Sequence, residues 1–475
     1  MTESGDGPIG RAERDALFAP LATFPVIVVA VSGGPDSTAL LHLVQGWTGT
    51  EDRAAGSVVA VTVDHGLRPE SAIEAEDVAR QARSLGIEHR IVRWEGPAPA
   101  TGLQAAARVA RYRLLGKVAG EKAAAFGGPA AIITAHTADD QAETLIMRLA
   151  RGSGVDGLAS ISPHSRLPVA SSDTDVGPDR CAVLRPLLGV PRRRLLATLA
   201  ARAITYADDP SNRDRRFERV RVREALGVLE GLGLTREALQ RSVERLQSAR
   251  EVLERAADEL QSKAVASIGG LVYEIDLAAL SAAPKETAVR VVRRVLRRAG
   301  GGAPPADLGA VELAAGRLVE GTNLPAFTLG GCIVEVSRAD RDQRGIARIY
   351  REPDRDGGLP VIRLFPGAAA LWDERFHVAV TDVAPHGVEV GPLGDDWLPL
   401  VADLPALAAL HLPHAAARGA PAFRAEGRLV AVPLLAGLLA QIGAGEAADR
   451  LADLRGQVPA RPANAVFLTR PVVSA

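Results

Sequence analysis

Between Pro25 and about Arg223, short runs of β-branched residues alternate with stretches whose apolar residues recur every three or four positions. That alternation is expected of strands joined by crossover helices in a parallel sheet. The expected strands are Val26–Val31, Val58–Val63, His89–Trp94 and Ala130–Ala135, with helices over Ser37–Val44, Glu70–Leu85 and Leu103–Ala119 between them. A further helix, Asp139–Ala150, carries Ala142, Leu145, Ile146 and Leu149 on one face. His164–Arg180 holds Ser, Asp, Pro and Gly without a period and reads as a surface loop.

From Thr235 to about Lys263 a long amphipathic pattern, with Leu239, Val243, Leu246 and Leu253 in its stripe, leads out of the sheet region. A helix at Thr287–Arg298 and a strand-like run at Cys332–Val336 follow, and a boundary is expected in the charged, Gly- and Pro-containing segment Arg351–Pro360. The chain of 475 residues, at roughly 150 per domain, accommodates about three. The expected layout is an α/β domain over residues 1–230, with helices on both faces of a parallel sheet, then a mainly helical middle domain over 231–350 and a small α+β C-terminal domain over 351–475.

Composition narrows the function. With 56 basic and 57 acidic residues the formal charge is -1, so any nucleic-acid surface must be local rather than global. Cys181 and Cys332 are far apart in sequence, which excludes a disulfide framework or paired-cysteine zinc site and fits a reducing cytoplasm. The opening MTESGDGPIG carries acids where a secretory signal needs bases. Phe24–Val31 is interrupted by Pro25 and falls short of the roughly 20 residues of a membrane span. A cytoplasmic protein without a membrane partner is expected.

The first strand runs into Ser32, Gly33, Gly34, Pro35, Asp36 and Ser37, which open a helical pattern. Two glycines let backbone N–H groups approach an anion, and the helix start adds about half a positive charge. Phosphate is therefore expected there, although a plain capped turn would use the same residue types. No GK[ST] follows and the loop itself lacks G-x-G-x-x-G, so it is neither a Walker A loop nor a dinucleotide fingerprint. Asp64-His65-Gly66-Leu67-Arg68 follows the second strand, and His136-Thr137-Ala138-Asp139-Asp140-Gln141-Ala142-Glu143 the fourth. All three clusters fall beyond the carboxyl ends of strands, where open parallel sheets bind ligands. Thr137 and Asp140 have capping-box spacing. Two adjacent acids beside His136 and a phosphate loop suit a divalent cation on ATP, so Mg²⁺ is implied.

The Ser32–Ser37 loop resembles the PP-loop of ATP pyrophosphatases, which cleave ATP between the α- and β-phosphates. The Asp64–Arg68 and Ala135–Thr144 segments, Arg151–Leu158, Arg185–Leu188 and Asp208–Asn212 occur in the order found in tRNA(Ile)-lysidine synthases. The detailed resemblance covers roughly the first half of the chain; beyond Thr235 it is one of layout. It departs at Thr137, where that family often carries a second histidine, so a proton-transfer role at that position has no bearer here.

The resemblance implies a PP-loop catalytic domain acting on an isoleucine tRNA with a CAU anticodon. The C2 carbonyl oxygen of the wobble cytidine attacks the α-phosphate of ATP, and the side-chain amine of L-lysine then displaces AMP. Asp36, His136, Asp139 and Asp140 become the catalytic candidates, Asp36 and Asp140 as holders of Mg²⁺, with Asp64 and Asp139 candidates for binding lysine. An amine of pKa near 10.4 is neutral only about 0.04% of the time at pH 7, a deficit of about 4.6 kcal/mol. His136 or Asp139 is the expected base.

Contact with tRNA is expected from two arginine clusters, represented by Arg213, Arg216 and Arg219 and by Arg293 and Arg297. Pairing with internal carboxylates is their competing use. Arg108, Arg111 and Arg113 suit phosphates of ATP or tRNA, or a solvated helix face. A tRNA thiolation enzyme would need neighbouring cysteines, and an amide-forming synthetase using ammonia would leave the arginine clusters idle. The sequence leaves the oligomeric state open, a homodimer included.

Overall fold

The computed structural model describes residues 6–49, 57–66, 70–95, 102–168, 181–207, 214–320, 324–338, 345–355, 357–380, 387–452 and 467–471. The chain divides into two compact units, Met1–Arg250 and Glu251–Ala475.

The first unit begins with α1 (Arg11–Phe18), β1 (Val26–Ala30), α2 (Pro35–Thr48), β2 (Ser57–Asp64), α3 (Glu70–Ser84) and β3 (Glu88–Arg93). It continues through α4 (Leu103–Phe126), β4 (Ala130–Ile133), α5 (Ala138–Leu149), α6 (Val155–Leu158), β5 (His164–Arg166) and β6 (Cys181–Leu184). Then come α7 (Arg192–Ala201), α8 (Glu218–Gly231) and α9 (Arg236–Ala264), the last spanning the division between the units. The sheet order is β3-β2-β1-β4-β6-β5, parallel except for the edge strand β5. The short β5 lies where a loop is expected from sequence. Its backbone pairs with β6 and covers what would otherwise be an open edge, a role that leaves little side-chain pattern to read. The remainder of that expected loop, from residue 169, lies outside the described residues.

Side chains of β1 alternate between two cores, as the two-residue period of a strand requires. Val26 and Val28 join Val59, Val61 and Ile132 against Tyr112 and Leu115 of α4. Ile27 and Val29 join Ala60 and Ile133 against Leu40 and Leu43 of α2 and Leu195 of α7. Burial on both faces is why β1 and β4 read as continuous apolar runs, and each fully buried Val contributes about 1.5 kcal/mol or more. Successive strands step from β1 towards β3 on one side and from β4 towards β6 on the other. The crevice at that reversal is where ligands of such sheets sit.

In the second unit a five-stranded antiparallel sheet has the order β7-β8-β11-β10-β9, with β7 (Val265–Ile268), β8 (Val272–Asp276), β9 (Phe327–Leu329), β10 (Cys332–Arg338) and β11 (Gly345–Arg351). Helices α10 (Leu277–Ser281), α11 (Lys285–Gly300) and α12 (Leu308–Glu320) accompany it, and Val291, Val292 and Val295 of α11 share a core with Ile275, Val334 and Ile349. The sequence pattern picks out α11 and Cys332–Val336 but not α10, α12 or the other strands of this sheet, several of which are short and partly exposed. A four-stranded sheet, β12-β15-β16-β17, and a three-stranded one, β13-β14-β18, follow: β12 (Ile362–Leu364), β13 (Ala369–Trp372), β14 (Phe376–Val380), β15 (Val388–Pro392), β16 (Pro421–Ala425), β17 (Arg428–Ala431) and β18 (Phe467–Pro471). Leu271, Val272 and Tyr350 pack in one core with Trp372, Phe376 and Phe423, so the core continues across Arg351–Pro360. Among the described residues no helix is long and apolar enough to cross a membrane.

Candidate active site

The β1–α2 turn is built for a close backbone approach. Gly33 has φ +87°, and a Cβ there would meet Val78 Cγ2 at 3.3 Å, so both conformation and space favour glycine. Gly34 is the extended N-cap residue of α2, and Pro35 pre-sets the first helical φ. Ser32 N donates to Ser37 Oγ at 3.1 Å, Ser37 Oγ to Gly34 O at 3.0 Å, and Thr38 Oγ1 to Gly33 O at 3.1 Å. The loop is thus braced by its own hydroxyls at a helix start, a ready anion site. Ala207 N donates to Gly33 O at 2.9 Å, while Asp208–Asn212 lie outside the described residues.

Beyond β4, Thr137 and Asp140 form the capping box that their spacing allows: Thr137 N donates to Asp140 Oδ2 at 2.7 Å, and Asp140 N to Thr137 Oγ1 at 3.4 Å. The other oxygen of Asp140 takes Arg219 Nη2 at 2.7 Å. Arg219 Nε also reaches Glu143, whose second oxygen takes Arg223 Nε at 2.7 Å. His136 Nδ1 is 2.8 Å from Thr134 Oγ1. Burial, followed by the charges of Arg185, Arg108, Arg219 and Arg111, pushes its imidazole down to about 3, so it is neutral near pH 7.

These elements line one cavity of about 270 Å³. Ala30, Val61, Val63 and Leu115 supply apolar wall; Ser32, Asp36, Ser37, His136 and Asp140 supply polar groups; Arg108, Arg111 and Arg219 supply positive charge. The phosphate loop and the His136–Asp140 element are therefore brought together. Asp36 Oδ1 is buried and accepts no hydrogen bond, its ion-pair partner Arg192 Nε standing 3.3 Å away. Burial holds the Asp36 carboxyl up at about 6, with Arg192 opposing and Asp140 and Asp139 reinforcing the shift. A buried carboxylate oxygen short of positive charge fits a cation. Among the described residues no three ligating side chains cluster tightly enough to hold a metal by themselves, which is compatible with Mg²⁺, since it takes one or two carboxylates plus substrate phosphates.

The remaining candidates separate. Asp64 is 4% exposed and folds the turn after β2: Oδ1 accepts from Gly66 N at 2.9 Å and Ser71 Oγ at 2.8 Å, and Arg93 approaches Oδ2 at 3.3 Å. Those bonds hold its carboxyl below the usual range. Asp139 accepts from Arg192 N at 2.7 Å and pairs with Arg236 Nε at 2.9 Å. Arg219 turns onto Asp140 and Glu143, whereas Arg216, 87% exposed, pairs with Asp214. Arg213 lies outside the described residues. On α11, Arg290 and Arg294 pair with Glu254; Arg293 is half-buried and Arg297 exposed.

Sequence reasoning missed Arg192 and Arg236. A signal existed for the first: Arg192, Arg193 and Arg194 open α7, at the helix end where cations are disfavoured. Each is held there by an acid, respectively Asp36, Asp6 and Glu13.

A parallel α/β sheet with a glycine phosphate turn at its crevice, facing carboxylates and arginines across one cavity, defines a PP-loop nucleotide enzyme, and residues 11–229 match the PP-loop domain family. The chain is 42% identical over 333 residues to the tRNA(Ile)-lysidine synthase of Bradyrhizobium sp. (strain BTAi1), a match covering 68% of this chain and 87% of that one. Against that of Methylobacterium nodulans it is 44% identical over 346 residues, 70% and 92% of the two chains; against that of Ruegeria pomeroyi, 35% over 421 residues, 88% and 91%. The chain belongs to the tRNA(Ile)-lysidine synthase family of enzymes. Cys181 and Cys332 are both buried, and burial pushes each thiol up to about 12, which disfavours a reactive thiolate at either.

Proposed function

We propose that this enzyme joins L-lysine to C2 of the wobble cytidine of the CAU-anticodon isoleucine tRNA in the cytoplasm, producing lysidine, AMP and pyrophosphate through an adenylated cytidine. The observation that carries this is the shared cavity: the Ser32–Ser37 loop, Asp36, Asp140 and His136 face one another in a chain of this family.

The braced loop binds the phosphates of ATP and fixes them relative to Asp36 and Asp140. Asp36 and Asp140 would hold Mg²⁺, which when bound would supply positive charge to the pyrophosphate leaving group. His136, neutral at working pH, orients by hydrogen bonding; at about 3 it is too weak a base to hold the proton of an ammonium. An ammonium is drawn instead to negative charge, and Asp139 is the carboxylate we favour to hold the lysine amine and relay its proton. Its pair with Arg236 is only partly buried, so an incoming ammonium can compete for it, whereas Asp64 would have to surrender the turn it holds. We assign catalysis to residues 1–230 and tRNA binding to 231–350 and 351–475, with Arg216 and Arg297 contributing phosphate contacts.

The test is to incubate the protein with ATP, labelled lysine and tRNAs that differ only at the wobble base. Stable label in the CAU tRNA with equimolar AMP supports the reading; pyrophosphate release that is independent of lysine and tRNA defeats it.

A further inference from the structure

His65 follows directly on β2, whose Val61 and Val63 line the catalytic cavity together with Arg111 of α4. Both nitrogens of its imidazole are buried without a hydrogen-bond partner, an unusual state for a side chain whose role is only structural. Its ring stands edge-on to Trp94, with centroids 5.7 Å apart and planes at 85°; Trp94 comes just after β3, the strand paired with β2. On α4, the Arg108 guanidinium lies 5.1 Å from the centroid of the Tyr112 ring, and Arg108, Arg111 and Tyr112 all line the cavity. Aromatic rings interleaved with guanidinium groups are the chemistry that receives an unstacked base and its neighbouring phosphates.

We propose that His65 and Trp94 form the seat of the base being modified, with His65 reading its exocyclic amine and Arg108 and Arg111 receiving the adjacent phosphates. This rests on the tRNA reading above. Burial and the nearby Arg111 hold His65 below its ordinary pKa, so the ring keeps a nitrogen lone pair. That lone pair accepts from the amine of cytosine; uracil presents an oxygen at the same place, and two acceptors would then oppose each other. A charged imidazolium would reverse the preference. The Arg111 guanidinium, by opposing protonation, supports selection of cytosine.

Adenine in ATP also carries an amine, so the ATP and tRNA dependences must be measured separately. His65→Phe, His65→Gln and Trp94→Leu are compared with the unmodified enzyme on the CAU tRNA and its wobble-uridine counterpart. In His65→Phe, kcat/KM for tRNA should fall roughly tenfold to a hundredfold and the cytidine preference should narrow, with KM for ATP unchanged. His65→Gln, whose amide oxygen accepts from an amine, should recover part of the preference, and Trp94→Leu should raise KM for tRNA. Unchanged tRNA kinetics in folded His65→Phe and Trp94→Leu would overturn the proposal, as would a rise confined to KM for ATP, which gives the corner to adenine. Failure of the unmodified enzyme to incorporate lysine would overturn the reading on which it rests.

Discussion

Arg219 Nε lies 2.6 Å from Oε2 of Glu143, a carboxylate only 1% exposed at the inner end of the arginine cluster. Arg223 takes the other oxygen, so Glu143 ties α8 to α5 through two guanidinium groups. Each arginine is more than one-third exposed, which screens its share. Glu143→Ala should nonetheless lose about 2 to 3 kcal/mol of unfolding free energy, and Arg219→Ala about 1 kcal/mol, because Arg223 still covers the carboxylate. Urea midpoints at constant m-value measure both; equal losses would show that Arg223 does not compensate.

Asp36 costs the fold stability at neutral pH. Burial holds its folded pKa at about 6, above the ordinary carboxylate range, so its stabilising contribution is complete below about pH 4, declines as pH rises towards 6 and is gone above that, a span of about 3 kcal/mol. Asp36→Asn should therefore be as stable as the unmodified enzyme or more so at pH 8, by up to about 3 kcal/mol less the lost Arg192 pair, while releasing no pyrophosphate. Thermal melts at pH 5 and pH 8, paired with a pyrophosphate assay, test this. A variant that cleaves ATP at full rate removes Asp36 from the site.

Lysine transfer should fail when the wobble cytidine of the CAU tRNA is replaced by uridine. A pocket whose polar groups are matched to cytosine leaves them unpaired against uracil, a loss that exceeds what shape alone imposes. Equal labelling of the two tRNAs would contradict this.

If Arg216 and Arg297 contact phosphates, replacing each with Ala should flatten the slope of log tRNA affinity against log salt by roughly 0.7 to 0.9. ATP affinity should stay unchanged. Arg290→Ala should instead destabilise the protein without altering the slope, because that side chain is 1% exposed and paired with Glu254. Unaltered slopes in both surface variants would return these arginines to solubility alone.

Sequence periodicity located β1, β2 and β4 closely because each is a continuous apolar run: Val58–Val63 is expected and Ser57–Asp64 is found. The co-location of Asp36, His136 and Asp140 was legible for a topological reason, since every parallel strand delivers its carboxyl end to the same edge. The pairings were not. Arg192 and Arg236 reach Asp36 and Asp139 from 156 and 97 residues further along the chain, and no local spacing encodes such contacts. Most strands of the second unit escaped, β7 and β9 among them because they are short and mostly half-exposed, so their backbone pairing leaves little pattern in the side chains.

The cleft holds an imidazole that stays neutral at physiological acidity and a cap hydroxyl at the position where a second histidine is common, whereas Asp36 changes charge near pH 6. Any metal that requires its ionised oxygen thus competes with a proton for one seat. Below that pH the available carboxylate falls about tenfold for each unit of acidity. If Asp36 holds magnesium as proposed, acid would weaken the enzyme at the loading of its metal-bound nucleotide, before any bond is made or broken, and extra magnesium would offset the loss.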